Sequence, residues 1–207
     1  MQQFLKTIGA EAEAIRLLFD INHQTVKDFL AILTECEGVI RVTGVGKSGL
    51  VAKKFADTLS CLGFVAEFNP IEDFNHGGLG KLGSLDLVIL ISKSGNTREL
   101  FGLLDFCCAN RIGFVCVKSD GVKNDTASIC VSVGYVRGSK FDWACANYMG
   151  YLVSLPNPPE ADKYNLIPTT SYAIMNAFFD GICMEMMGDI SKERIVINHP
   201  GGTFGKS

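Results

Sequence analysis

Two short stretches of this 207-residue chain carry side chains suited to holding a phosphate. In residues 39–51, VIRVTGVGKSGLV, an apolar run stops at a glycine turn, Lys47 and Ser48 follow, and a helical pattern begins. Strand, tight turn and helix in that order leave free backbone N–H groups at a helix N-terminus, which favour an anion. Residues 92–97, SKSGNT, repeat the arrangement after the apolar run DLVILIS. The hydroxyls of Ser48, Ser92, Ser94 and Thr97 can donate to phosphate oxygens, and the turn glycines Gly46 and Gly95 belong to the same two candidate substrate-binding loops. A helix N-terminus favours an anion by roughly 0.3–1 kcal/mol. Direct hydrogen bonds to charged oxygens, at roughly 1.5–3 kcal/mol each, should dominate.

The first loop alone admits other ligands. Gly44-x-Gly46-x-x-Gly49 matches the dinucleotide fingerprint, and Glu67 stands near the place of the ribose-binding acid. A nucleoside-triphosphate loop would need a glycine where Arg41 stands. Ser92, Ser94 and Thr97 could also do no more than cap a helix. The second loop favours a phosphate ester, because two such loops at neighbouring strand ends converge on the crevice where open α/β sheets bind ligands.

Those loops need strands and helices to hold them. Residues 1–35 are helical in pattern, with Leu17, Ile21, Val26, Phe29, Leu30 and Leu33 as apolar positions. Strands are expected at 38–43, 64–68, 86–92 and 113–118, and a fifth at 129–133 or 151–155. Helices are expected at 48–62, with a stripe of Leu50, Val51, Phe55, Leu59 and Leu62, at 97–110, and at 169–187, with Ile174, Phe178, Ile182 and Met186 on one face. Residues 69–83 and 157–168 read as loops, and 134–150 as an insertion, a hairpin or a subunit contact. The alternation predicts an α/β fold, a three-layer α-β-α sandwich on a mostly parallel five-stranded sheet. An N-terminal helical segment, 1–37, is expected to precede one α/β domain, 38–207.

Composition narrows the function classes. A net charge of −3 with no basic run argues against a nucleic-acid partner. No apolar stretch is long enough to span or anchor in a membrane, and none reads as a signal peptide. The eight scattered cysteines form no CxxC pair and suit small core positions in a reducing cytoplasm.

GVGKSG followed by ISKSGNTRE resembles the sugar isomerase (SIS) domain, whose members bind phosphosugars. Asn75–Gly80, NHGGLG, and residues 199–205, HPGGTFG, resemble two histidine motifs of the D-arabinose 5-phosphate isomerases. The resemblance spans about residues 38–118 and 156–206. It implies interconversion of D-ribulose 5-phosphate and D-arabinose 5-phosphate through a cis-enediol, the first step toward Kdo for lipopolysaccharide. It also implies a homotetramer with sites at subunit interfaces. Family members usually continue into paired CBS domains, so the expectation here is a catalytic domain alone, with any anionic pathway-product inhibitor binding the SIS domain itself.

Carried over motif by motif, Lys47, His76, Glu99, Glu160 and His199 fall on the family's functional positions. Lys47 could neutralise a phosphate or a developing oxyanion; otherwise it is a solvated lysine. Glu99 is either functional or a residue suited to a helix N-terminus. His76 and His199 carry imidazoles, the side chain suited to proton transfer. Glu160 lies in NPPEADKYN, which departs from the family's usual sequence after Glu-Ala; it is a loop acid, or else a carboxylate of raised pKa acting as base while the fold stays intact without it. His23 reads as structural. No spacing supports a metal site, and the isomerisation requires no cofactor. Alternatives are an isomerase of another phosphosugar, a hexulose or heptulose phosphate, and a non-catalytic phosphosugar sensor.

Overall fold

In a computed structural model, residues 1–119, 140, 144, 150–188 and 190–199 are described. Five parallel strands, β1 (Ile40–Gly44), β2 (Ala66–Phe68), β3 (Leu87–Ile91), β4 (Gly113–Ser119) and β5 (Gly150–Leu155), lie in the order β2-β1-β3-β4-β5. The expected three-layer α/β sandwich is present, and the described strands pair in parallel throughout. β5 matches the 151–155 alternative; 129–133 lies outside the described residues.

Successive side chains of a strand point to opposite faces. Ile89 and Ile91 of β3 therefore join one core and Val88 and Leu90 the other, which is why the run is apolar without alternation. Helices α1 (Gln2–Arg16), α2 (His23–Thr34), α3 (Lys47–Cys61) and α6 (Thr170–Met187) cover the first face. There Phe29, Phe55, Phe178 and Phe179 pack together, Phe55 and Phe179 with centroids 4.3 Å apart. Helices α4 (Ile71–Asn75) and α5 (Phe101–Asn110) cover the second.

The helical pattern of residues 1–35 is present as two helices separated by a 3-10 turn at Leu17–Asp20. Asn22 makes the break: its side chain accepts the Gln24 N–H at 2.8 Å and caps α2. Asn22→Ala should cost about 1 kcal/mol in a denaturant titration. Several expectations need correction. Leu50 is 53% exposed, because a residue one step before Val51 is turned away from the stripe formed by Val51, Phe55 and Leu59. Residues 69–83 are not a plain loop. Ile71 and Phe74 are buried along one face of α4, and Gly78–Lys81 form a 3-10 turn; elements this short leave no readable periodicity. The expected 97–110 helix starts as a 3-10 turn at Arg98–Leu100, and the tail holds an unforeseen helix, α7 (Lys192–Ile197). Most of 134–150 and the stretch 200–207 lie outside the described residues.

Candidate active site

The strand order reverses between β1 and β3, and ligands of such sheets bind beyond the strand C-termini at that point. Both candidate phosphate loops start there, one after each strand. Gly46 has φ +58° and ψ −125°, a conformation that a side chain would strain. A Cβ on Gly49 would lie 2.8 Å from the Gly44 carbonyl oxygen, so the first turn of α3 can sit this close to the end of β1 only with glycine there. The Gly-x-Gly-x-x-Gly spacing thus reflects tight strand-to-helix packing. Glu67, the acid that the dinucleotide alternative would use, is ion-paired with Arg41, which also bonds Asp86 Oδ2 at 3.0 Å.

A cavity of about 120 Å³ opens beside the first loop. Lys47 and Ser48 line it, together with Lys93 from the second loop and Pro168, Ser171 and Tyr172 at the start of α6. Lys93, Ser171 and Tyr172 were not among the residues singled out from sequence. Lys93 had a signal, since it sits between the two serines of the second loop. Ser171 and Tyr172 had none beyond their place at a helix start.

The hydroxyls of the second loop are held by bonds within the loop, and of the three only Ser92 is buried. Ser92 is buried, its Oγ lies 2.7 Å from Thr97 Oγ1, and it accepts the Gly95 N–H at 3.1 Å. Ser94 Oγ accepts the Asn96 N–H at 3.1 Å. These bonds shape the loop that carries Lys93 to the cavity.

Glu160 is 5% exposed and sits against the N-terminus of α6. Its Oε1 accepts from Lys93 Nζ at 2.5 Å and from the Ser171 hydroxyl. Its Oε2 accepts from the Thr169 N–H at 2.8 Å, the Thr170 hydroxyl at 3.0 Å, the Thr169 hydroxyl at 3.2 Å and the Ser171 N–H at 3.3 Å. Burial alone would raise its pKa, but Lys93, the Ser171 hydroxyl and the Thr169 and Ser171 N–H groups together hold it down at about 2. The expectation of a raised pKa is therefore wrong. The carboxylate fills the anion position of a long helix and ties it to the second loop. The surrounding loop is built for this: Asn165 Oδ1 accepts the Glu160 N–H at 2.6 Å, and Asp162 collects the N–H groups of Tyr164, Leu166 and Ile167.

The remaining candidates lie elsewhere in the chain. His76 is exposed at the end of α4, and neighbouring Asn75 faces Gly102 of α5. Glu99 is exposed in the 3-10 turn before α5. Both belong to the sheet face opposite α3 and α6. His199 follows α7, where its Nδ1 lies 2.8 Å from the Ile195 carbonyl oxygen and Asn198 donates to the Cys61 carbonyl at 2.9 Å. That is the far end of α3 from Lys47, about 21 Å away at 1.5 Å per residue. Within one chain, then, Lys47, Ser48, Lys93 and Glu160 come together, and His76, Glu99 and His199 do not join them. Among the described residues no three His, Cys, Asp or Glu side chains converge as a metal site would need, and no helix is long and apolar enough to cross a membrane.

Residues 32–126 match the family model of the SIS domain. The arabinose 5-phosphate isomerase KdsD of Pseudomonas aeruginosa is 28% identical over 210 residues, covering 97% of this chain and 56% of its own length. This chain spans about half the length of the curated relatives it matches. A proposed sugar-phosphate isomerase from Listeria monocytogenes superposes with a TM-score of 0.80 at 29% identity, over 97% of this chain and 96% of its own. A protein of Escherichia coli CFT073, solved in complex with arabinose 5-phosphate, superposes with a TM-score of 0.78 at 24% identity, over 95% of each chain, and so shares the fold.

Proposed function

On the premise that this chain carries a SIS domain, we propose that it is an aldose–ketose isomerase of a phosphosugar, with D-ribulose 5-phosphate and D-arabinose 5-phosphate as its substrate pair. The observation that carries this reading is the cavity at the strand C-termini, where two lysines, two serines and the N-terminus of α3 meet. Such a lining suits a small anionic polyol. Relatives that act on arabinose 5-phosphate support the choice of pentose, and with it a place at the start of Kdo synthesis.

The reaction moves a proton between C1 and C2 through a cis-enediol. Lys47 is placed to stabilise the enediolate oxygen or the phosphate from the first loop. Glu160, anionic and committed to its own donors, is a weak base. It anchors Lys93 and α6, which leaves the carbon-bound proton to Glu99, His76 or His199. His199 can serve a cavity only if a neighbouring subunit brings it there, so the reading requires an oligomer with shared sites, and the form proposed is a homotetramer. Light scattering at the mass of one chain would oppose that.

The test is direct. Incubation with ribulose 5-phosphate should yield arabinose 5-phosphate, identified by NMR, while fructose 6-phosphate and sedoheptulose 7-phosphate should be poorer substrates. No turnover of any of the three would remove the enzyme reading. One observation favours a second reading, a phosphosugar sensor without turnover: in a single chain the two candidate histidines lie outside the cavity. Binding of the sugar phosphates without conversion is its signature.

A further inference from the structure

We propose that Lys93 is a second phosphate-contacting residue of this site, whose ammonium is shared between Glu160 and the phosphate of the bound ligand. The inference rests on reading the cavity as a phosphosugar site. Three observations lead to it. Lys93 and Lys47 line the same cavity from different loops. The Lys93 side chain is 36% exposed while that of Glu160 is fully covered, so the pair is buried on the carboxylate side and open on the ammonium side.

The third observation is the donor count. An ammonium has three N–H donors, and among the described residues Glu160 is the partner of Lys93. The Glu160 oxygens receive four other donors, from the backbone of Thr169 and Ser171 and the hydroxyls of Thr169 and Ser171, and share the Thr170 hydroxyl with the Pro159 carbonyl. The carboxylate is thus well supplied without Lys93, while Lys93 keeps donors to spare. Two like charges facing one small cavity repel each other. Glu160 offsets one of them, and among the described residues the second, Lys47, has no ion-pair partner, so an anion entering the cavity would compensate it. A phosphate dianion satisfies both the charge and the spare donors, while the bond to Glu160 holds the long Lys93 side chain in place before binding.

The experiment titrates inorganic phosphate into the full chain by calorimetry at constant ionic strength, for wild type, Lys93→Gln and Lys93→Arg. Glutamine can still donate to Glu160, which separates the charge from the tether. Lys93→Gln should weaken phosphate by about 10- to 100-fold, the worth of one charge-assisted hydrogen bond, and Lys93→Arg should stay within about threefold of wild type. In parallel, reductive methylation of wild-type Lys93, followed by mass spectrometry, should slow when phosphate is bound, with exposed Lys27 as the internal control. Undiminished binding by a folded Lys93→Gln, or methylation of Lys93 that phosphate leaves unchanged, would overturn the proposal and leave Lys93 as a tether alone. The result is independent of turnover: phosphate bound through Lys93 without isomerisation removes the isomerase and keeps the site, and isomerisation with Lys93 indifferent does the reverse.

Discussion

Replacing Glu160 by glutamine should cost about 1–3 kcal/mol of folding stability at pH 7, the range for leaving buried hydrogen-bonding groups without a partner, since the Lys93 ammonium it would release is itself partly open to water. The amide would keep one acceptor oxygen and turn an NH2 group toward donors that now point at a carboxylate: Lys93, the Thr169 and Ser171 N–H groups and three hydroxyls. The start of α6 would lose its anion, and part of its first turn would be buried without acceptors. The measurement is a denaturant midpoint, backed by the pH dependence of stability. The folded-state pKa lies at about 2, below the ordinary 4.5, so the carboxylate's contribution is complete above pH 4.5 and is lost as pH falls toward 2. Wild type should therefore lose stability across that window, and Glu160→Gln should lack this share of the loss. A variant as stable as wild type at pH 7 would show that the carboxylate does not hold α6. This also revises the sequence expectation that Glu160 could be changed with the fold intact: lost activity in that variant would report lost structure first.

The second large effect concerns shared sites. His199→Ala should lower kcat by about 10²–10⁴, as for loss of a proton-transfer group, and Lys47→Ala by about 10²–10³, as for loss of an oxyanion donor. Lys47 is exposed at the first turn of α3, and His199 is bonded through its ring to its own helix end. Neither change should unfold the chain. Because the length of α3 separates the two residues, each working site would take Lys47 from one subunit and His199 from another. Dissociating and reassembling the two variants together should then restore activity that neither has alone, since some mixed sites receive both native residues. Activity that stays at the level of the single variants after mixing would oppose shared sites. Wild-type turnover in purified His199→Ala would remove that residue from the reaction.

The two strand-to-helix turns and the buried strands before them were legible because each is a local pattern. A glycine turn between an apolar run and a helical period, or DLVILIS without a polar break, records what a few neighbouring residues must do. Short elements were not legible. Five residues of α4 and six of α7 make too few turns for a stripe to repeat, and glycines around α4 disguised it as loop. Lys93 was visible as a residue but not as part of the site, because its partner Glu160 stands 67 positions later in a loop with no periodicity.

By itself, then, the sequence determined the strand–turn–helix order, the parallel α/β class and the two loops at neighbouring strand ends, all consequences of short-range sterics and of which side chains avoid water. Only the tertiary structure decided that Glu160 is a buried anion under α6, that Lys93 shares a cavity with Lys47, and that His199 sits at the opposite end of α3. Those facts depend on how helices and loops far apart in the chain pack over the sheet. The protonation of a carboxylate is set by the donors that packing brings to it, and no spacing in the chain records them.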